Sequence, residues 1–323
     1  MIINLSEENA EERAPVRYVD VSEDEAGQRI DNWLMARLKG LPRSRVYRLI
    51  RRGEVRVNKG RVQQTYRIQA GDIVRIPPVR LDAPGPADKP SEATRDFLMA
   101  RIVFEDRQLI VLDKPAGMAV HGGSGLSFGV IEALRAARRD CPYLELVHRL
   151  DRETSGCLLI AKRRSYLRGL HQALRDNDME KRYLALVRGQ WDRGRIRLEH
   201  RLAVDRDGGA ERIVRVDREG KRAVSHVRPV ELTGVASLVE VRLETGRTHQ
   251  IRVQMAAEGH PLAGDDRYGD PDFNRRLRAK GLKRMFLHAH SLSFADPKTG
   301  DPRSFSAPLP ADLRAALDRL GPS

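Results

Sequence analysis

The chain has 323 residues, 40% of them hydrophobic, and carries 59 Lys and Arg against 45 Asp and Glu, a formal net charge of +14. That length points to two domains, one small and one large, and the excess of cations favours a polyanionic partner, nucleic acid first, with a membrane surface as the rival. No apolar run approaches the roughly 18 residues that a membrane span requires, and the acidic start Met1 to Glu12 does not read as a signal peptide. Cys141 and Cys157 are the two cysteines; they form no disulfide framework and no zinc spacing, and both read as plain core thiols of a reducing cytosol.

Residues 1–15 are polar and acidic and read as a mobile tail. A compact unit follows over residues 16–78. Ile30, Trp33, Leu34 and Leu38 have helical apolar spacing, and a second helix is predicted from Ser44, as N-cap, through Val46, Leu49 and Ile50. Glu54–Asn58 and Asp72–Ile76 alternate as strands. Arg43, Arg45, Arg48, Arg51, Arg52 and Arg56 crowd the polar positions of the second helix and its exit. A one-signed face of this kind repels itself, which argues for an anionic ligand over a merely solvated surface.

Arg29-Ile30-Asp31, the Ser44-Arg45 helix start, Gly53-Glu54-Val55-Arg56-Val57-Asn58 and Ala70-Gly71-Asp72-Ile73-Val74 make this unit resemble an S4-type RNA-binding domain of α/β build. The resemblance implies a module that holds structured RNA by its backbone and shape. Residues 79–96 are rich in Pro, Ala and charge and read as a linker.

From residue 97 to 323 strand-like and helix-like runs alternate. Strands are predicted at Leu109–Leu112, Leu158–Ala161, Tyr183–Val187, Ile213–Val216, Leu238–Leu243 and Phe286–Phe294. Helices are predicted at Gly129–Arg138, Ser165–Arg175, Thr248–Glu258 and Pro310–Arg319. Many strands, few helices and no βαβ regularity predict an α+β domain with a mainly antiparallel, mixed sheet.

Four segments of this domain carry chemistry. In Val147-His148-Arg149-Leu150-Asp151-Arg152-Glu153-Thr154, an aspartate sits on a polar turn between two apolar flanks, both of which read as short buried strands. Alone, such a run is more often a turn aspartate with solvated arginines. Lys181-Arg182-Tyr183 presents an aromatic among cations, either a half-buried strand tyrosine or a stacking plate for a base. In Thr245-Gly246-Arg247-Thr248-His249-Gln250-Ile251-Arg252, a glycine turn enters a helix that ends at Gly259 before Pro261. Thr248, His249 and Arg252 share one face of that helix; Arg252 needs a carboxylate partner, and Asp151 is the natural candidate, with a surface Glu as the alternative. Asp113-Lys114-Pro115-Ala116-Gly117 is a tight loop whose backbone could approach a ligand closely.

Beside any likeness to a known family, two readings stand: a non-catalytic RNA-binding or ribosome-assembly protein using the same basic surface, and a nucleic-acid glycosidase using Asp151 and Glu153 as a carboxylate pair. Two carboxylates two residues apart on a tight turn rarely aim at one bond, which weighs against the glycosidase.

Taken together with Gly122–Glu132, Glu211–Val216 and Asp265-Asp266-Arg267-Tyr268-Gly269-Asp270, the four segments resemble the RluA family of pseudouridine synthases, and within it the C-type branch acting on large-subunit (23S) ribosomal RNA. The resemblance implies isomerisation of specific uridines on a flipped-out base, with no cofactor and no metal. It implies Asp151 as catalytic aspartate, Tyr183 stacking on the uracil and assisting proton transfer, and Arg252 paired with Asp151. Arg149 would fill the gap left by the flipped nucleotide, and Ile251 would wall the base pocket. Gln254 stands where relatives often carry His and is given no role. The implied partner is large-subunit ribosomal RNA or its precursor particle, met in the cytoplasm by a monomer, with no membrane involved.

Overall fold

The computed structural model describes residues 15–38, 40–79, 89–123, 126–205 and 213–321. The tail over 1–14, the linker centre at 80–88, Ser124 and Gly125, and Glu211 and Arg212 lie outside the described residues. The chain divides into two compact units, Met1–Ala87 and Asp88–Ser323. Among the described residues no helix is long and apolar enough to cross a membrane.

The first unit runs β1 (Arg17–Asp20), α1 (Ile30–Arg37), α2 (Arg43–Arg51), β2 (Arg56–Val57), β3 (Gly60–Arg61) and β4 (Ile73–Ile76), with the strands ordered β1-β4-β2-β3. The predicted apolar positions Ile30, Trp33, Leu34, Leu38, Val46, Leu49 and Ile50 are all buried in one core. Ser44 is not the cap of α2: the helix starts at Arg43 after Pro42, whose fixed φ of −56° prepares the first turn. Asp31 is buried and accepts a guanidinium fork from Arg29 at 3.1 and 2.7 Å and the Asn32 N–H at 2.8 Å, which fixes the start of α1. Asp72 accepts from Asn58 Nδ2, the Tyr66 hydroxyl and the Gln69 N–H, tying the β2–β3 turn to the entry of β4. The aspartates and Asn58 of the S4-like segments are therefore scaffolding. Arg43, Arg48, Arg51, Arg52 and Arg56 are exposed and Arg45 is half-buried. Among the described residues the ion pairs of this unit are Arg29–Asp31 and Arg37–Glu25, and neither engages the α2 face.

The second unit runs α3 (Glu92–Met99), β5 (Ile102–Glu105), β6 (Leu109–Lys114), α4 (Val130–Ala137), β7 (Glu145–Leu146), β8 (Ser155–Ala161), α5 (Arg164–Asp176), β9 (Met179–Arg188), β10 (Ile196–Asp205), β11 (Ile213–Val216), β12 (Lys221–Leu232), β13 (Ala236–Leu243), α6 (Gln250–Ala257), α7 (Pro271–Ala279), β14 (Leu287–Ala295), β15 (Pro302–Ser306) and α8 (Ala311–Asp318). Eleven strands form one sheet, ordered β11-β10-β12-β13-β9-β14-β8-β6-β5, with β15 on β14 and β7 on β8. Among the described residues every pairing is antiparallel except β14 with β8. The fold is thus α+β with a mainly antiparallel mixed sheet.

Strand alternation decides the layers. Ile110, Leu112, Leu158, Ile160, Tyr183, Ala185 and Val241 face a core shared with α4 and α6. Leu109, Val111, Leu159 and Ala161 turn to the other face, onto Tyr166 and Leu170 of α5, while Leu186 and Leu238 meet α7 and α8. Helices therefore cover both faces, and every strand of the centre is buried twice.

Three expectations change. Glu92–Met99 is a helix capped by Ser91, whose Oγ accepts the Thr94 N–H at 3.1 Å, so the C-terminal part of the predicted linker is ordered. The flank before Asp151 is a two-residue strand with Glu145 exposed, and the chain then crosses Val147–Leu150 as a loop. The helix predicted from Thr248 begins at Gln250.

Candidate active site

A cavity of about 690 Å³ opens in the second unit, walled by the Val147–Asp151 loop, Thr154, the end of α5, Lys181 and Tyr183 of β9, the Thr245–Gln250 turn, and Ile251 and Arg252 of α6. Among the described residues Asp151 is the only carboxylate in this wall; Arg149, Arg175, Lys181, Arg222, Arg247 and Arg252 are its cations. One acid inside a basic rim suits a polyanion that must bring one neutral group to a carboxylate.

The sheet places the Asp151 turn. Val147 N–H donates to Leu159 O at 3.0 Å, and His148 Nε2 accepts the Leu159 N–H at 3.2 Å, so the loop before Asp151 is pinned to β8. Accepting that N–H requires an unprotonated Nε2, in line with burial pushing the His148 pKa down to about 4. After the turn, Gly156 (φ +109°) lies against β14: a Cβ there would stand 2.2 Å from Ala289 O. Only glycine permits the parallel joint that seats the turn beside Leu287.

Lys114 braces the turn from beneath. Its side chain is wholly buried, and Nζ donates to the carbonyls of Pro115, Met118 and Arg152 at 2.7, 2.8 and 3.1 Å. Burial pushes the Lys114 pKa down to about 7, while the charges of Glu153 and Asp151 act the other way. Gly117 N–H donates to Arg152 O and Arg152 Nε donates to Gly117 O, both at 2.9 Å. The Lys114–Gly117 loop thus clasps the Asp151 turn and is absent from the cavity wall, so its backbone closely approaches protein.

Arg252 stands within ion-pair reach of Asp151 and has a second, closer carboxylate partner. Its fork lies on Asp265, with Nε and Nη2 donating to Oδ2 and Oδ1 at 2.7 and 2.8 Å, and the remaining Nη1 stands 3.8 Å from Asp151 Oδ2. Asp265 is buried and also accepts the N–H groups of Arg267 and Tyr268. Burial acts to raise the Asp265 pKa, but the Arg252 fork and those two N–H groups overcome it and hold the carboxyl below its ordinary range. Asn274 donates to the Asp265 carbonyl at 3.0 Å and fixes the loop. Asp265 was missed because its segment served only as a matching pattern; a buried arginine with two carboxylates in reach was the available signal.

Tyr183 is 8% exposed, more buried than a half-buried strand tyrosine, and pairs in register with Val241 and Ala289. Burial and the Asp151 charge raise its hydroxyl well above the ordinary phenol range, so it stands as a neutral O–H. Ile251 is buried and lines the cavity, and Arg149 lines it as an exposed side chain. Gln250 and Gln254 are both buried and hydrogen-bonded to β12: Gln250 Nε2 donates to Val224 O at 3.0 Å, and the Ser225 hydroxyl donates to Gln254 Oε1 at 2.6 Å. Gln254 therefore sets α6 on the sheet. Glu153 is exposed, 3.6 Å from Arg152, and outside the cavity wall, so no carboxylate pair faces one bond among the described residues. Among the described residues no group of three or more His, Cys, Asp and Glu could hold a metal ion.

The family described as RNA pseudouridylate synthase matches residues 108–257, and the S4 domain family matches residues 28–74. Ribosomal large subunit pseudouridine synthase C of Haemophilus influenzae is 52% identical over 309 residues, covering 94% of this chain and 95% of its own. The protein of that name from Escherichia coli K12 is 50% identical over 317 residues, covering 96% and 98%. Among solved structures, human RNA pseudouridylate synthase domain containing 4 shares the fold, with a TM-score of 0.60 at 23% identity over 71% of this chain and 95% of that one. Identity of about one half over nearly the full length of these relatives, together with the two family matches, places the chain in one family: it belongs to the RNA pseudouridylate synthases and carries an S4 domain.

Proposed function

We propose that the chain converts specific uridines of large-subunit (23S) ribosomal RNA to pseudouridine in the Asp151 cavity, acting in the cytoplasm on the RNA or its precursor particle. The observation that carries this reading is Asp151, among the described residues the only carboxylate lining a basic cavity, 3.8 Å from Arg252. The names of the half-identical relatives support the ribosomal substrate.

The reaction breaks the N1–C1′ bond, turns the uracil and joins C5 to C1′; the C5 proton leaves, N1 gains a proton, and the sum is an isomerisation. Asp151 serves as the catalytic aspartate, by attack at C1′, by attack at C6 or by removing a sugar proton. Each route needs a positioned carboxylate, which the clasped turn supplies. Tyr183 stacks on the uracil with its buried ring and offers its neutral hydroxyl for proton transfer at C5. Arg252 keeps a cation beside Asp151. Ile251 walls the base pocket. Arg149 fills the space that the extruded nucleotide leaves in the RNA. Arg43, Arg45, Arg48, Arg51, Arg52 and Arg56 bind the RNA backbone through the S4 domain. The test is tritium release from large-subunit ribosomal RNA labelled at uridine C5: forming the new glycosidic bond expels the label, and tight binding without release would reject the activity on this RNA.

A further inference from the structure

We infer that His249 is a second positioning residue for Asp151, sharing the Oδ2 oxygen with Arg252 and leaving Oδ1 to face the uridine; this rests on the reading of the Asp151 cavity as the site of pseudouridine formation. Three observations converge. His249 Nε2 lies 3.9 Å from Asp151 Oδ2, the same oxygen that Arg252 Nη1 approaches at 3.8 Å. His249 caps the start of α6 with φ +53° and ψ +22°, a left-handed conformation that a side chain rarely adopts and that tends to collect at functional sites. Its other nitrogen, Nδ1, is 2.9 Å from the Tyr268 hydroxyl.

That third contact fixes the proton. The Tyr268 oxygen already accepts the Val214 N–H at 2.9 Å. Among the described residues the only acceptor within reach of the hydroxyl's own proton is His249 Nδ1. Donating its own proton to Nδ1 gives the hydroxyl both a donor and an acceptor partner, so we take Nδ1 as the acceptor and Nε2 as the N–H, 3.9 Å from Asp151. Burial holds the imidazole below its ordinary pKa; Asp151 and Asp265 act against this, and Arg252 and Arg267 with it, so the ring works as a neutral donor. Both donors stand just beyond hydrogen-bond length, as such contacts often do before substrate closes the site. Tyr268 also lies beneath the Arg252 guanidinium, 4.9 Å from ring centroid to carbon, so one phenol aligns both donors.

The test uses the full chain and C5-tritiated large-subunit ribosomal RNA. His249→Asn tolerates the left-handed backbone but ends short of Asp151. His249→Gln carries an amide N–H out to where Nε2 stands. The Asn variant is expected to lose about tenfold or more in kcat with KM within about twofold, since a displaced carboxylate costs turnover more than binding. The Gln variant is expected to regain most of the loss. Nitrogen NMR of labelled histidine should find the Nε2–H tautomer at His249 in wild type and a mixture in Tyr268→Phe. Wild-type kcat in His249→Asn, equal losses in both variants, or an Nδ1–H tautomer in wild type would overturn the His249 proposal alone. No release by wild type would overturn the underlying functional reading, with the tautomer still measurable.

Discussion

Arg252 gives its fork to Asp265 and only its spare nitrogen to Asp151: 2.7 and 2.8 Å to the first carboxylate, 3.8 Å to the second. The division separates two tasks. Asp265, with two backbone N–H groups on it, orients the guanidinium. Asp151 receives no fork, and both of its cation-side contacts fall on Oδ2. Asp265→Asn keeps the shape but removes the charge that neutralises a buried cation. Such a loss costs about 3–5 kcal/mol. Urea unfolding of the full chain should show the drop, and turnover should fall about a hundredfold as Arg252 loses its orientation. An unchanged urea midpoint would contradict this.

Tyr183→Phe keeps the buried ring and removes only the hydroxyl. RNA affinity should stay within about twofold, while the single-turnover rate falls on the order of a hundredfold or more, the usual worth of a positioned proton donor or acceptor. A wild-type rate would confine Tyr183 to packing and stacking.

How far the sequence could be read depended on whether local pattern or distant pairing decided each element. Ile213–Val216, whose limits match the prediction, and the apolar face of α1 follow local alternation and periodicity. Ile196–Asp205 and Lys221–Leu232 went unread because charges interrupt them; their strand state comes from pairing with each other and with β13. Pro271–Ala279 was missed although Asp270 before Pro271 is a sound helix start. At the site, Asp151, Tyr183, Ile251 and Arg252 do meet in one cavity. Asp151 does lie within ion-pair reach of Arg252, but the closer fork partner Asp265 is not legible, because spacing along one helix cannot rank two carboxylates far apart in the chain. The left-handed turn at His249 is likewise invisible to a helical pattern that runs through it.

The pH dependence of stability has a definite sign at His288. It is wholly buried, with Nδ1 3.0 Å from the Ser155 hydroxyl and Nε2 3.1 Å from Ala307 O, and burial pushes its pKa down to about 4. An unfolded histidine binds its proton near pH 6.5. Between those values the unfolded chain holds more protons, so stability is present above about 6.5 and is lost as pH falls towards 4, by on the order of 3 kcal/mol. The melting temperature should decline across that window. An NMR titration of His288 with a midpoint near 6.5 would contradict the assignment.

The α2 face should act through charge alone. Arg48→Ala, Arg51→Ala and Arg52→Ala combined should weaken binding of structured RNA and lower the slope of log K against log salt by about one for each arginine–phosphate pair removed. The melting temperature should not change, because these side chains are exposed. Salt plots parallel to wild type would remove this face from RNA binding.

We propose that the Asp151 carboxylate carries the isomerisation, so release of the C5 label must depend on it. The most direct measurement is tritium release from C5-labelled large-subunit ribosomal RNA by wild type and Asp151→Asn, with RNA affinity measured alongside. Wild type should release the label, the variant should not, and their RNA affinities should agree within a few-fold, since Asn keeps the size of the side chain and the Thr154 N–H bonds the backbone carbonyl of residue 151. Turnover by Asp151→Asn near the wild-type rate would contradict it.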